Sequence, residues 1–214
     1  MKIETEDLLN SIMQSLDRID YIKTADIPNI DLYMDQVTTF MDRHLKSTVR
    51  DEKEDKILTK TMINNYAKND LLPPPIKKKY SKEHVVLLIF IYYFKGILSI
   101  GDIQNLLKPI TEEFFGKDDG IRLEDIYEEV FRLERPQVEI LKEDVMDKFR
   151  KSKDTFGNVP EREQEFLQMF SFICMLSFDV YVKKLLIEKI LDSYVKESFQ
   201  REKRSEAKQE KKSE

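Results

Sequence analysis

Six lysines crowd into residues 59–82: Lys60, Lys68, Lys77, Lys78, Lys79 and Lys82, against the single acid Asp70. Hydrogen-bonding side chains stand among them at Thr59, Thr61, Asn64 and Asn65. Ammonium groups neutralise phosphates and hold a protein in register on a nucleic-acid backbone. Asparagine is one of the side chains that can bond bidentately to adenine in the major groove. The chemistry of this window is therefore recognition rather than bond-making. The plainer alternative is a solvated, lysine-rich loop. Elsewhere the chain offers little for catalysis. Cys174 is the sole cysteine and His44 and His84 are the sole histidines, too few for a thiolate or zinc site. No carboxylate pair stands out, and His84 has no nucleophile or acid at motif spacing. Neither an enzyme, a metal site nor a cofactor is expected.

Charge is distributed unevenly. The 214 residues carry a net charge of -5, which as a whole argues against nucleic acid. By segment, residues 1–58 carry -5, residues 59–82 carry +5, residues 83–199 carry -7 and residues 200–214 carry +2. A local basic window, not the global balance, is the electrostatic footprint of a nucleic-acid site.

The elements that must position this window follow from apolar spacing. Leu8, Leu9, Ile12, Met13, Leu16, Ile19 and Ile22 lie on one helical face within residues 1–24. After the break at Pro28, Leu32, Met34, Val37, Phe40, Met41 and Leu45 predict a second helix starting near Tyr33. Thr59 suits the N-cap of a short helix ending near Asn69, because its hydroxyl can accept from an orphan N–H of the first turn. Met62, Ile63 and Tyr66 face inward there, leaving Lys60, Thr61, Asn64, Asn65 and Lys68 outward. Leu71 and Leu72 then dock on the core, and Pro73–Pro75 forbids further helix. Ile76–Tyr80 reads as a short extended segment. Ser81 caps a helix over 82–96 that is apolar nearly all round, hence central, with Phe90, Tyr92, Tyr93 and Phe94 as core aromatics. Ser99 caps another over 100–107, which Pro109 follows.

Residues 115–120 read as a boundary. Leu123–Phe131 predicts a helix ending before Pro136, and Val138–Phe149 a further one. A second break at 155–160 places Pro160 at the first position of a long helix, or two with a bend, reaching Phe199. Cys174 is expected as a small buried hydrophobe. Phe166, Phe170, Phe172 and Phe178 read as core, with a small-molecule pocket or a dimer seam as the other readings. Residues 200–214 hold ten charges and read as a disordered tail or a solvated helix end. No apolar run reaches the length of a membrane span, and the acids at Glu4, Glu6 and Asp7 do not suit a secretory signal. A cytoplasmic protein without membrane contact is expected.

Taken together, Thr59, Met62-Ile63-Asn64-Asn65-Tyr66, Asp70-Leu71-Leu72-Pro73-Pro74, Lys79-Tyr80 and Leu98-Ser99-Ile100-Gly101-Asp102-Ile103 resemble the DNA-binding half of MerR-type winged-helix regulators. Asn64 stands where that family carries an arginine. The same stretches, from "YMDQV" through "LTKTMINNYAK", "LLPPP" and "KKKYS" to "LSIGDIQ", are closer still to an uncharacterised bacterial family of unknown function. The resemblance covers about residues 28–108. It implies an all-α protein. An N-terminal helix (1–24) would precede a MerR-like winged helix-turn-helix domain with a very short wing (28–108). A C-terminal helical dimerisation or effector domain (121–199) and the charged tail (200–214) would follow. It further implies a sequence-specific, double-stranded DNA-binding transcriptional regulator. The DNA contacts would come from Thr59, Lys60, Thr61, Asn64, Asn65, Tyr66, Lys68, Lys77, Lys78, Lys79 and Tyr80. A homodimer is expected, because such modules read paired half-sites, and an unknown small-molecule or protein effector is possible. The competing expectation is a helical adaptor on the same domain that has lost DNA binding.

Overall fold

The computed structural model describes residues 5–16, 21–51, 54–117 and 120–213, and these are mostly helical. The helices are α1 (Thr5–Leu16), α2 (Met34–Leu45), α3 (Lys60–Lys68), α4 (Lys82–Phe94), α5 (Ile100–Phe114), α6 (Leu123–Lys153) and α7 (Glu161–Ser213). Two short strands, β1 (Leu32–Tyr33) and β2 (Lys79–Tyr80), pair antiparallel with Leu32 opposite Tyr80 and Tyr33 opposite Lys79. Of the residues expected on the N-terminal apolar face, Ile19 lies outside the described residues. So do Asp118 and Asp119 of the expected boundary turn.

Helix α4 is the axis of the fold. Val85 to Ile91 are all buried, as a helix apolar on every side must be. Around it pack Val37, Met41 and Leu45 of α2, Ile63 and Tyr66 of α3, and Ile103 and Leu107 of α5. The same core takes in Leu123, Tyr127 and Phe131 of α6 and Leu191 of α7. Leu191 aside, it therefore draws on residues from Ile22 to Phe131, past the 28–108 segment outlined by motif. The Tyr127 hydroxyl donates to the Ile22 carbonyl at 2.6 Å, and Thr24 bonds to the Glu128 carboxylate. These two contacts tie the start of the domain to the start of α6.

Prolines do not end helices here as sequence reading expects. Helix α5 continues through Pro109 to Phe114, and α6 runs unbroken through Pro136 where the sequence predicts two helices. A proline removes one backbone bond and crowds the preceding turn. At Pro109 burial on both sides offsets that, whereas Pro136 is exposed and α6 is anchored at its two ends. Leu107 and Ile110 bracket Pro109 against the core. Helix α6 is held at one end by Leu123 and Tyr127 and at the other by Phe149. Pro160 sits just ahead of α7, not inside it, and its carbonyl accepts from the Glu163 and Gln164 N–H groups.

Helix α7 returns antiparallel along α6. Gln168 donates to the Lys153 carbonyl at 2.7 Å, Phe149 meets Phe172, and Lys148 pairs with Asp179 at 2.8 Å. Leu9 of α1 joins Phe149 and Phe172 in a second, smaller core. Because α7 is covered on one side only, the expected burial of its aromatics is largely overturned. Phe172 is buried, whereas Phe166, Phe170, Phe178 and the thiol-bearing Cys174 are exposed. No described helix is long and apolar enough to cross a membrane.

Candidate nucleic-acid interface

Helix α3 is short, and three local devices hold it. The Thr59 hydroxyl accepts from the Met62 N–H at 3.1 Å, as an N-cap should. At the other end Asp70 turns left-handed at φ +56°. That turn lets the Leu71 N–H bond back to the Tyr66 carbonyl at 2.9 Å, a Schellman closure. Ile63, Tyr66, Leu71 and Leu72 are then buried, so α3 is pinned by its inner face and its exit. Lys60, Thr61, Asn64, Asn65 and Lys68 are exposed. Their i, i+4 spacing makes them one outward face.

The lysine run is not a simple extended segment. Ile76 and Lys79 exchange backbone bonds of 3.1 and 2.9 Å, closing a two-residue turn over Lys77 and Lys78. Both turn residues have positive φ, +51° and +66°, the pattern of a type I′ hairpin. Glycine or asparagine normally occupies such positions, and lysine carries a steric cost there. The turn feeds β2, whose partner β1 leads directly into α2. Sequence periodicity misses β1 because two residues are too few to show alternation.

The hairpin and α3 meet at the β1–α2 corner. Lys79 lies over the Tyr33 ring, 5.3 Å from its centroid. Two residues on, Asp35 pairs with Lys60 at the start of α3. The exposed face of α3 and the lysine hairpin are thus joined through Tyr33 and Asp35. Tyr33 itself is about half exposed and is a site residue that sequence reasoning misses. Its neighbour in the sheet, Lys79, is the available signal.

The structure separates the eleven expected contact residues into groups. Lys60, Thr61, Asn64, Asn65, Lys68, Lys77 and Lys78 are exposed, and Thr59 and Lys79 are half-buried. Tyr66 and Tyr80 are in the core instead, where burial raises both phenols above their ordinary range. Their aromatic faces support α3 and β2 from beneath and do not reach the surface. His84, at the start of α4, is buried against Tyr80 and Phe115, and its Nδ1 accepts from the Ser81 N–H at 3.0 Å.

This core-and-corner unit coincides with a known sequence family. The model of a domain of unknown function, DUF1836, matches residues 22–130. The chain belongs to the DUF1836 family. Neither a curated protein nor a solved structure matches it. The DUF1836 limits have a physical counterpart: apart from Leu191 of α7, the main core is drawn from Ile22 to Phe131, and the Tyr127–Ile22 hydrogen bond ties the two ends of that segment. Within the DUF1836 unit lie α3, the hairpin and the corner that joins them. Helix α7 and most of α6 lie beyond the match.

Proposed function

We propose that the DUF1836 domain of this chain binds double-stranded DNA in the manner of a MerR-like winged helix and acts in transcriptional regulation. In this reading α3 enters the major groove and the Lys77–Lys78 hairpin serves as a minimal wing against the phosphates. The observation that carries it is the corner formed by Tyr33 and Asp35, which gathers α3 and the hairpin into one basic surface. Asn64 and Asn65 supply base-reading groups on that surface. Lys77, Lys78 and Lys79 supply positioning charge.

The test is fluorescence polarisation with genomic duplexes over a range of salt. Removing one lysine–phosphate pair should lower the log–log salt slope by about 0.9, so Lys77→Ala, Lys78→Ala and Lys79→Ala together should lower it by up to about 2.7. Affinity should fall for all sequences alike. Changing Asn64 or Asn65 to Ala should instead relax preference at particular bases. A slope unchanged in the triple variant overturns the wing assignment.

A second reading is a protein-interaction adaptor. The Asp35 carboxylate held on Lys60, and Asn64 in the place of the arginine of MerR-type regulators, both favour it. Absence of duplex binding even at low salt would select this reading.

A further inference from the structure

A cavity of about 370 Å³ opens where the DUF1836 unit meets α7. Phe90 and Phe94 of α4, near-parallel rings 6.0 Å apart, form one wall. Ile110 of α5 and Ile126 of α6 form the next, and Leu191 and Tyr194 of α7 close the other side. Phe90 and Leu191 are each 7% exposed, whereas Tyr194 is 54% exposed, so the cavity has a buried floor and a mouth beside Tyr194. The phenol hydroxyl there is the sole polar side-chain group among the lining residues, and none of them is charged.

Such walls dictate the occupant. Protein interiors keep few voids larger than a water molecule, and apolar walls give water nothing to bond to. An enclosed apolar cavity of about 150 Å³ stays dry and takes benzene. Scaled by volume, 370 Å³ takes about fifteen carbon atoms. That volume also falls within the roughly 300–1,000 Å³ of small-molecule sites. An unpaired ion buried here would lose its hydration without compensation, so the walls select against charge.

We propose that this seam binds one uncharged, largely hydrocarbon molecule of about ten to fifteen carbon atoms, and that the occupant fastens α7 to the DUF1836 unit. Among the described residues, Leu191 is all that α7 gives to the buried main core. A molecule held between Phe94 and Ile110 on one side and Leu191 and Tyr194 on the other is enclosed only while α7 is docked. Binding and docking are therefore linked, each strengthening the other.

The experiment uses the full chain without DNA, so its outcome is independent of the DNA-binding reading. The probe is N-phenylnaphthylamine, an uncharged aromatic close to the stated size that fluoresces in apolar surroundings. It should saturate at one molecule per chain below about 100 μM. Anilinonaphthalene sulfonate, the same skeleton with one negative charge, should bind at least about tenfold more weakly. Ile110→Trp puts an indole into the cavity and should weaken binding of the neutral probe at least about tenfold, with the helical circular dichroism kept. If that variant does not fold, Leu106→Trp, one turn earlier on the same face of α5, takes its place. Phe170→Glu, at an exposed position of α7 remote from the cavity in sequence, should leave binding unchanged. In the native protein the probe should slow amide hydrogen exchange over residues 187–194. Absence of saturable binding overturns the proposal. Equal binding of the sulfonate, binding that survives the cavity-filling change, or loss of binding in Phe170→Glu overturns it equally, since each places the probe on exposed surface. Binding without slower exchange overturns the fastening of α7.

Discussion

His84 is the most constrained titratable side chain in the domain. Its ring is 2% exposed, edge-on to Tyr80 and Phe115, and its Nε2 is buried with no hydrogen bond closed. Burial pushes its pKa below the ordinary histidine value, outweighing the Pro73 and Pro74 carbonyls and the Asp31 carboxylate, which favour the proton. The native state therefore resists protonation at a pH where the unfolded chain accepts it. Stability from this group is fully present above the unfolded value of about 6.5 and declines as pH falls below it toward the folded value. Urea unfolding between pH 7.5 and 5 should show the decline. His84→Gln should flatten it in that interval. An equally steep decline in the variant would assign the effect to other groups. Because Ser81, Tyr80 and the Pro73–Pro74 turn all adjoin this ring, acidification should loosen the lysine hairpin before the rest of α4.

The hairpin over Lys77 and Lys78 shows how an element can be strained and still be retained. A lysine held at positive φ costs roughly 1 kcal/mol, and such cost persists where the surrounding structure enforces it. Lys77→Asn with Lys78→Gly gives the turn its preferred residues. The variant should melt at a higher temperature while binding duplex DNA more weakly. A rise in stability with unchanged binding would mean that the two ammonium groups contribute nothing to recognition. Elements of this kind mark the limit of what sequence reading reaches. Helices α2 and α3 are legible because each couples a start signal to a clean apolar face, and α4 because Ser81 precedes a nearly continuous apolar run: Tyr33, Thr59 and Ser81 stand at their starts, and Pro73 after α3. The outward set on α3 follows from the same spacing. Strand β1 is not legible, since its partner lies more than forty residues along the chain. Pro109 misleads because a local breaker is weighed without the burial that overrides it, and Pro136 because the anchoring of α6 at its two ends is not visible locally. Tyr66 and Tyr80 mislead in the opposite sense: a motif match suggests contact with DNA, while the helical phase of Tyr66 already turns it inward.

At the scale of the whole molecule, the DNA-binding proposal makes the distribution of charge the determinant of orientation. The net -5 of the chain is carried by segments on either side of the 59–82 window, with -7 on residues 83–199 alone. The acids Glu139, Glu143, Asp144 and Asp147 lie along α6, beyond the DUF1836 core. Lys142, Lys148 and Lys151 pair with Glu139, Asp144 and Asp147 there, so this stretch of α6 is close to neutral. On the DNA-binding proposal, the α3–hairpin surface is where a phosphate backbone would land. Asp35 is the acid set inside that landing, holding Lys60. If the surface is the landing, Asp35→Asn should free one ammonium and tighten duplex binding, steepening the log–log salt slope by about 0.9. The paired change Glu139→Gln and Glu143→Gln alters net charge by more, yet lies on the remote helix, and should leave the slope where it was. The same slope change from both variants would mean that binding follows total charge alone. A change confined to Asp35 would mean that DNA is held at the corner where β1 enters α2. The contrast works because screening confines each effect to within about 8–10 Å at physiological salt, so a remote carboxylate cannot imitate a local one.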